Sequence, residues 1–206
     1  MRKQLTLGQT LPYKQRVVVH EKVTLAIRSS LQKLSFLSLL LALGCVIPVW
    51  TDGEVPFVPT PVEVVDRMLE MARVTPADVV YDLGSGEGGI IIRAAQKFGA
   101  RGVGIEIDAD LVRKAQANAF REKVEHLTEF RVQDALSVDV SEATVVTLYM
   151  LPEFNTKLRP ILDRQLKPGA RVISHDFPVE GWVPDRTERV NGDFLHDHTI
   201  LLFEIR

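Results

Sequence analysis

The stretch VVYDLGSGEGGIIIRAAQKFGARGVGIEID, residues 79–108, decides the fold. Val79, Val80 and Tyr81 are a β-branched and aromatic run suited to a strand, and Gly84, Gly86, Gly88 and Gly89 then free the backbone for a tight turn that a Cβ would obstruct. The turn opens a helix whose apolar residues run from Ile90 to Phe98, Gly99 is placed to end it, and Arg101 to Asp108 return as a parallel strand. One βαβ unit with a glycine loop results. In a doubly wound sheet the crevice lies over the carboxyl ends of the strands, so a ligand is expected above this loop, with the helix amino terminus directed into the crevice.

Gly84, Gly86 and Gly89 satisfy the dinucleotide pattern GxGxxG, and Glu106 follows Gly86 by 20 residues. Spacing therefore leaves a nicotinamide or flavin dinucleotide open. Charge argues against it, because Asp82 and Glu87 flank the place where a pyrophosphate would sit. Like charges about 5 Å apart at an effective dielectric of about 20 repel by roughly 3 kcal/mol. A cofactor carrying an ammonium and a sulfonium turns the same acids into attraction, and S-adenosyl-L-methionine is such a cofactor.

DLGSGEG at 82–88 resembles the first motif of class I S-adenosylmethionine-dependent methyltransferases, and GIEID at 104–108 resembles their second-strand acid. The resemblance implies an α/β fold, a Rossmann-like doubly wound seven-stranded class I methyltransferase sheet with an antiparallel last strand. It further implies cofactor contacts from Asp82, Gly84, Ser85 and Gly86, from Glu106 and Ile107, and from Asp134 and Ala135 in FRVQDAL, where such enzymes hold the adenine amino group. Within the class, PFVPTP, YDLGSG and SHDFPVEGWVP resemble the lysine methyltransferases of ATP synthase c-subunit and adenine nucleotide translocase and their bacterial relatives. That group reads DLGSGDGR, so Glu87 and Gly89 depart from its pattern.

Charge divides the chain in two. Residues 1–50 hold seven Lys or Arg against one Glu, and residues 51–206 hold 18 against 26, a net charge of −8. So acidic a domain is a poor partner for phosphate backbones, and no nucleic acid is expected. A basic acceptor suits it better. Two units are expected: residues 1–50 as a basic segment with a hydrophobic anchor or signal, and residues 51–206 as the methyltransferase domain. Leu34 to Thr51 run 18 residues without a charge, which is read as associating the chain with a membrane, the alternative being export after signal cleavage. A single cysteine excludes an internal disulfide.

Thr60, Pro61 and Glu63 are read as N-cap, first-turn proline and capping-box acid of a helix reaching Ala72, with Phe57 and Thr60 over the cofactor. Asp110 is read as the cap of a helix to Phe120. Strands are expected at 128–133, 143–149, 171–177, 187–190 and 199–205, with a helix from Pro152 to Leu166.

Acceptor chemistry is expected at the tips of the fourth and fifth strands, where Tyr149, His175 and Asp176 are the candidate catalytic residues and Trp182 a candidate wall of the acceptor channel. A lysine, whose pKa in water is about 10.4, must lose a proton before it attacks. The acceptor is expected to be a protein lysine, membrane-embedded proteins included. Methyltransfer to a small molecule or lipid, a dinucleotide oxidoreductase and a non-catalytic S-adenosylmethionine-binding module are the alternatives. No metal set is visible: His196 and His198 lack companions at finger spacing and are read as an exposed loop or strand.

Overall fold

The computed structural model describes residues 57–192 and 197–206. Seven strands form one sheet in the order β3-β2-β1-β4-β5-β7-β6. They are β1 Val79–Leu83, β2 Arg101–Glu106, β3 Thr128–Val132, β4 Val145–Leu148, β5 Arg171–His175, β6 Arg186–Val190 and β7 His198–Glu204. Among the described residues the α-helices are α1 Val62–Met71, α2 Gly89–Phe98, α3 Ala109–Arg121 and α4 Pro152–Gln165. β1 to β5 pair in parallel, β7 runs antiparallel to β5, and β6 antiparallel to β7. The expected doubly wound sheet with an antiparallel last strand is present: β7 runs against β1 to β5, and β6, antiparallel to β7, runs in the same direction as β1 to β5.

Successive side chains of a strand point to opposite faces, and the core divides accordingly. Val80, Val145, Ile173, Ile200 and Leu202 pack with α1, α2 and α3, while Tyr81, Leu83, Val146, Val172, Leu201 and Phe203 pack with α4. Strands buried on both faces read as continuous apolar runs, which is why VVTL and RVISH carry no alternation. Strand order reverses between β1 and β4, and the crevice of an open sheet lies at that switch.

Two caps differ from expectation. Pro61, not Thr60, is the N-cap of α1, and no side chain caps it. The N-cap of α3 is Asp108, whose carboxylate accepts from the Asp110 and Leu111 amides, so Asp110 lies inside the helix. An acid in the β region one residue earlier is better aimed at the orphan amides. α1 is tied to β6 by Arg67 and Glu188 and to α2 by Asp66 with Arg93 and Lys97.

Residues 1–50 and the apolar run 34–51 lie outside the described residues. Among the described residues no helix is long and apolar enough to cross a membrane. The longest, α4, has 14 residues, about 21 Å of rise against a hydrocarbon core of about 30 Å. The membrane placement expected from the sequence is corrected to this extent: no described helix supplies a membrane span.

Candidate active site

The glycine loop owes its shape to backbone that only glycine adopts readily. Gly84, Gly86 and Gly88 have φ of +88°, +51° and +83°. The Gly84 and Ser85 amides donate to Ile105 O at 2.8 and 2.9 Å, which pins the loop to β2. Space is as tight as the dihedrals: a Cβ on Gly84 would lie 2.6 Å from Met150 Sδ, and one on Gly86 would enter the Phe57 ring. Gly104 is required for a different reason, since its Cβ would meet Phe130 and, at 2.7 Å, Ser85 Oγ.

Glu106, at the end of β2, accepts from the Gly86 amide at 2.9 Å through one carboxylate oxygen. The other accepts from Ile107 and Asp108 at 2.8 and 3.0 Å. The acid expected to meet a ligand thus also anchors the loop, and Ile107 beside it is exposed. Asp82 is buried and pairs in register with Thr147 of β4, whose hydroxyl donates to it at 2.6 Å. Burial pushes the Asp82 carboxyl up to about 7; the Thr147 hydrogen bond opposes the rise and the Glu106 charge adds to it. Asp134 caps the short 3-10 helix Ala135–Ser137, accepting from the Leu136 amide at 2.9 Å, and Ala135 beneath it is buried. Ser85 Oγ is buried without a hydrogen-bond partner among the described residues.

The second half of the site gathers on β4, β5 and β7. The Tyr149 ring stacks on His175 with centroids 3.9 Å apart, and Phe177 lies 6.1 Å from Tyr149. Burial, with the Asp176 charge adding to it, raises the Tyr149 phenol above its ordinary value. His175 is 0% exposed. Its Nδ1 meets Thr60 Oγ1 at 3.2 Å and its Nε2 meets His198 Nδ1 at 2.9 Å. Thr60 is thus drawn to the fifth strand rather than to a helix cap. Asp176 has φ +58°, and its Oδ1 accepts from the Thr199 amide at 2.7 Å.

The sheet brings Tyr149, His175 and Asp176 together and sets Asp82, Glu106 and the loop on the neighbouring strands. It does not bring Trp182 to them. The Trp182 indole donates to Asp163 of α4 at 3.0 Å and packs on Phe203. Phe203 pairs with Val172 near the start of β5, away from the strand tips, so the expected channel wall is corrected to a core contact. His198 is corrected too: it is 6% exposed and faces His175. Thr147 and His198 were missed by the sequence reading. A lone hydroxyl in the apolar run VVTL opposite Asp82 was a usable signal for the first; nothing local marked the second.

A glycine cradle without Cβ atoms, a buried acid poised to lose its proton beside a cation, and a carboxylate at the second strand tip fit S-adenosylmethionine. Together with the sheet order they define a class I S-adenosylmethionine-dependent methyltransferase. The chain belongs to the ANTKMT methyltransferase domain family, whose model matches residues 82–186. It is 45% identical to a protein-lysine N-methyltransferase of Saccharolobus islandicus, over 74% of this chain and 94% of that protein. It is 38% identical to the ATP synthase c-subunit lysine N-methyltransferase of Xenopus laevis, over 63% of this chain and 57% of that protein. A solved structure described as an RNA methyltransferase from Salinibacter ruber, in complex with S-adenosyl-L-homocysteine, is 58% identical. It superposes with a TM-score of 0.69 over 72% of this chain and 94% of that one.

Proposed function

We propose that the chain methylates lysine side chains of a protein substrate. The observation that carries this reading is the 45% identity to a protein-lysine N-methyltransferase along nearly its whole length. In the proposed site Asp82, Gly84, Ser85 and Gly86 hold the methionine end of the cofactor and Glu106, beside Ile107, the ribose. Asp134 and Ala135 hold the adenine, and Thr60 edges the same crevice. When bound, S-adenosylmethionine supplies a methyl group on a sulfonium, transferable in line to the acceptor amine after its ammonium has released a proton to solvent, with the neutral thioether as leaving group. Tyr149 is the residue that meets the acceptor: its ring face attracts the incoming ammonium and its hydroxyl steers the amine. His175, fully buried against the Tyr149 ring, and Asp176 are positioning residues that hold that ring.

Methylation of RNA is the second reading, favoured by the description of the 58% identical structure. The net charge of −8 over residues 51–206 weighs against it. Incubating the full-length chain with radiolabelled S-adenosylmethionine, once with cell protein and once with total RNA, separates the two. Label recovered as methyl-lysine is expected, and label confined to RNA would overturn the proposal. Tyr149→Ala is expected to lower kcat by about a hundredfold while cofactor affinity stays within about twofold, because misplacing an acceptor costs rate rather than cofactor binding.

Asp82 makes a pH prediction. Its carboxyl is raised in the fold, so this group's contribution to the stability of the free protein declines as pH rises from about 4 to about 7. Binding a ligand ammonium beside it favours the ionised form. Affinity for S-adenosylhomocysteine is therefore expected to climb between pH 5.5 and 7, by at most about tenfold per pH unit, and then level off. Calorimetry across that range checks it; an Asp82→Asn variant should bind more weakly and show no such climb.

A further inference from the structure

At the edge where β5 ends and β7 begins, three ligand-capable atoms converge. His175 Nε2 lies 2.9 Å from His198 Nδ1 and 3.3 Å from Asp176 Oδ2, and His198 Nδ1 lies 3.6 Å from the same Asp176 oxygen. A hydrogen-bonded relay passes through successive atoms, with one proton between each pair. Here the same three atoms are mutual neighbours, all within 3.6 Å of one another, a convergence that one metal ion can ligate. A tetrahedral ion with bonds of about 2.0–2.1 Å to nitrogen and oxygen sets its ligand atoms about 3.3 Å apart, near the middle of the three distances observed.

We propose that His175, Asp176 and His198 form a binding site for one divalent transition-metal ion of the zinc class. The surroundings match what such ligands need. Thr60 Oγ1 lies 3.2 Å from His175 Nδ1, where it is placed to accept a hydrogen bond from the Nδ1–H tautomer, the one that leaves the Nε2 lone pair facing the cluster. The Thr199 amide holds Asp176 Oδ1 at 2.7 Å, which aims Oδ2 at the two rings. Asp176 keeps a left-handed backbone, φ +58°, in doing so. Both imidazoles are buried, so the donor atoms are fixed before an ion arrives. Two imidazole nitrogens and one carboxylate oxygen suit zinc rather than calcium or magnesium, which take oxygen ligands. A fourth ligand from protein or water completes a tetrahedron. Bound there, the ion staples the turn after β5 to the start of β7 and fixes His175, on which Tyr149 stacks. The site does not depend on the identity of the methyl acceptor.

The test uses the full-length chain without a histidine tag, stripped with a chelator and titrated with zinc chloride by calorimetry. A cobalt(II) arm is read by its visible ligand-field bands. One ion per chain and a rise in thermal midpoint are expected. Asp176→Asn, which tolerates the left-handed backbone and keeps an acceptor for Thr199, and His198→Ala should each weaken zinc at least about a hundredfold. S-adenosylhomocysteine binding by both variants serves as the check that they fold. No zinc uptake by the parent chain would leave only a hydrogen-bonded cluster and overturn the proposal. So would uptake that both folded variants keep unchanged, which would place the ion elsewhere on the chain. If both variants fail to fold, the parent's cobalt spectrum decides: tetrahedral bands with imidazole ligation uphold the site, and an octahedral spectrum overturns it.

Discussion

Glu106→Ala is expected to weaken S-adenosylhomocysteine by at least about a hundredfold, the larger of the expected effects on binding. The carboxylate has two tasks that fail together. It accepts from the Gly86, Ile107 and Asp108 amides, at 2.9, 2.8 and 3.0 Å, and so holds the glycine loop at the tip of β2. In the proposed site it also receives the ribose hydroxyls. Hydrogen bonds to a charged acceptor contribute about 1.5–3 kcal/mol each, and two such bonds lost outweigh a hundredfold even when the amides regain water. Glu106→Gln separates the tasks. One oxygen survives to hold Ile107 and Asp108, the new NH2 faces the Gly86 amide, and an intermediate affinity should result. Calorimetry decides, and an alanine variant that binds as tightly as the parent would remove Glu106 from the site.

The largest expected loss of stability lies at the other end of β1. Asp78 is buried and accepts from the Thr75 amide and hydroxyl at 2.8 and 2.9 Å, from the Thr144 hydroxyl at 2.7 Å, and from Arg171. Arg171 also donates to the carbonyls of Ala72 and Arg73, so one ion pair joins the end of α1 to β1, β4 and β5. Asp78→Ala strands a largely buried guanidinium, which costs about 3–5 kcal/mol. For a domain of this size the thermal midpoint should fall by on the order of 10 °C. Cofactor affinity below the transition should be unchanged, since the site lies at the opposite strand ends. The same group gives an acid limb. Burial pushes Asp78 upward, but hydrogen bonds from Thr144 and Thr75 and the Arg171 charge outweigh it and hold the carboxyl below its ordinary value. A depressed acid stabilises the fold above its unfolded pKa of about 3.9, and that stability is lost as pH falls through the folded value. Asp78→Ala should flatten this limb in acid denaturation.

The sequence by itself determined the βαβ unit from Val79 to Asp108, because every cause of it is local. β-branched residues, positive-φ glycines and a helical apolar period act within a few neighbours; the charge argument is less local, because burial raises the Asp82 carboxyl to about 7 and Glu87 pairs with Lys114 of α3. The cofactor follows from the same stretch. Caps were less legible: Asp108 and Asp110 are equally good capping residues, and only the backbone at the end of β2 selects the first. The acceptor half was decided by tertiary structure. β7 runs antiparallel to β5, so its first residue arrives at the edge where β5 ends, and His198 meets His175 across 23 residues of sequence. Thr60 reaches the same histidine across 115 residues, and Trp182 goes to Phe203 instead. Partners of that separation are chosen by strand direction and register. Composition and spacing record neither, because a strand's residues read the same whichever way it runs.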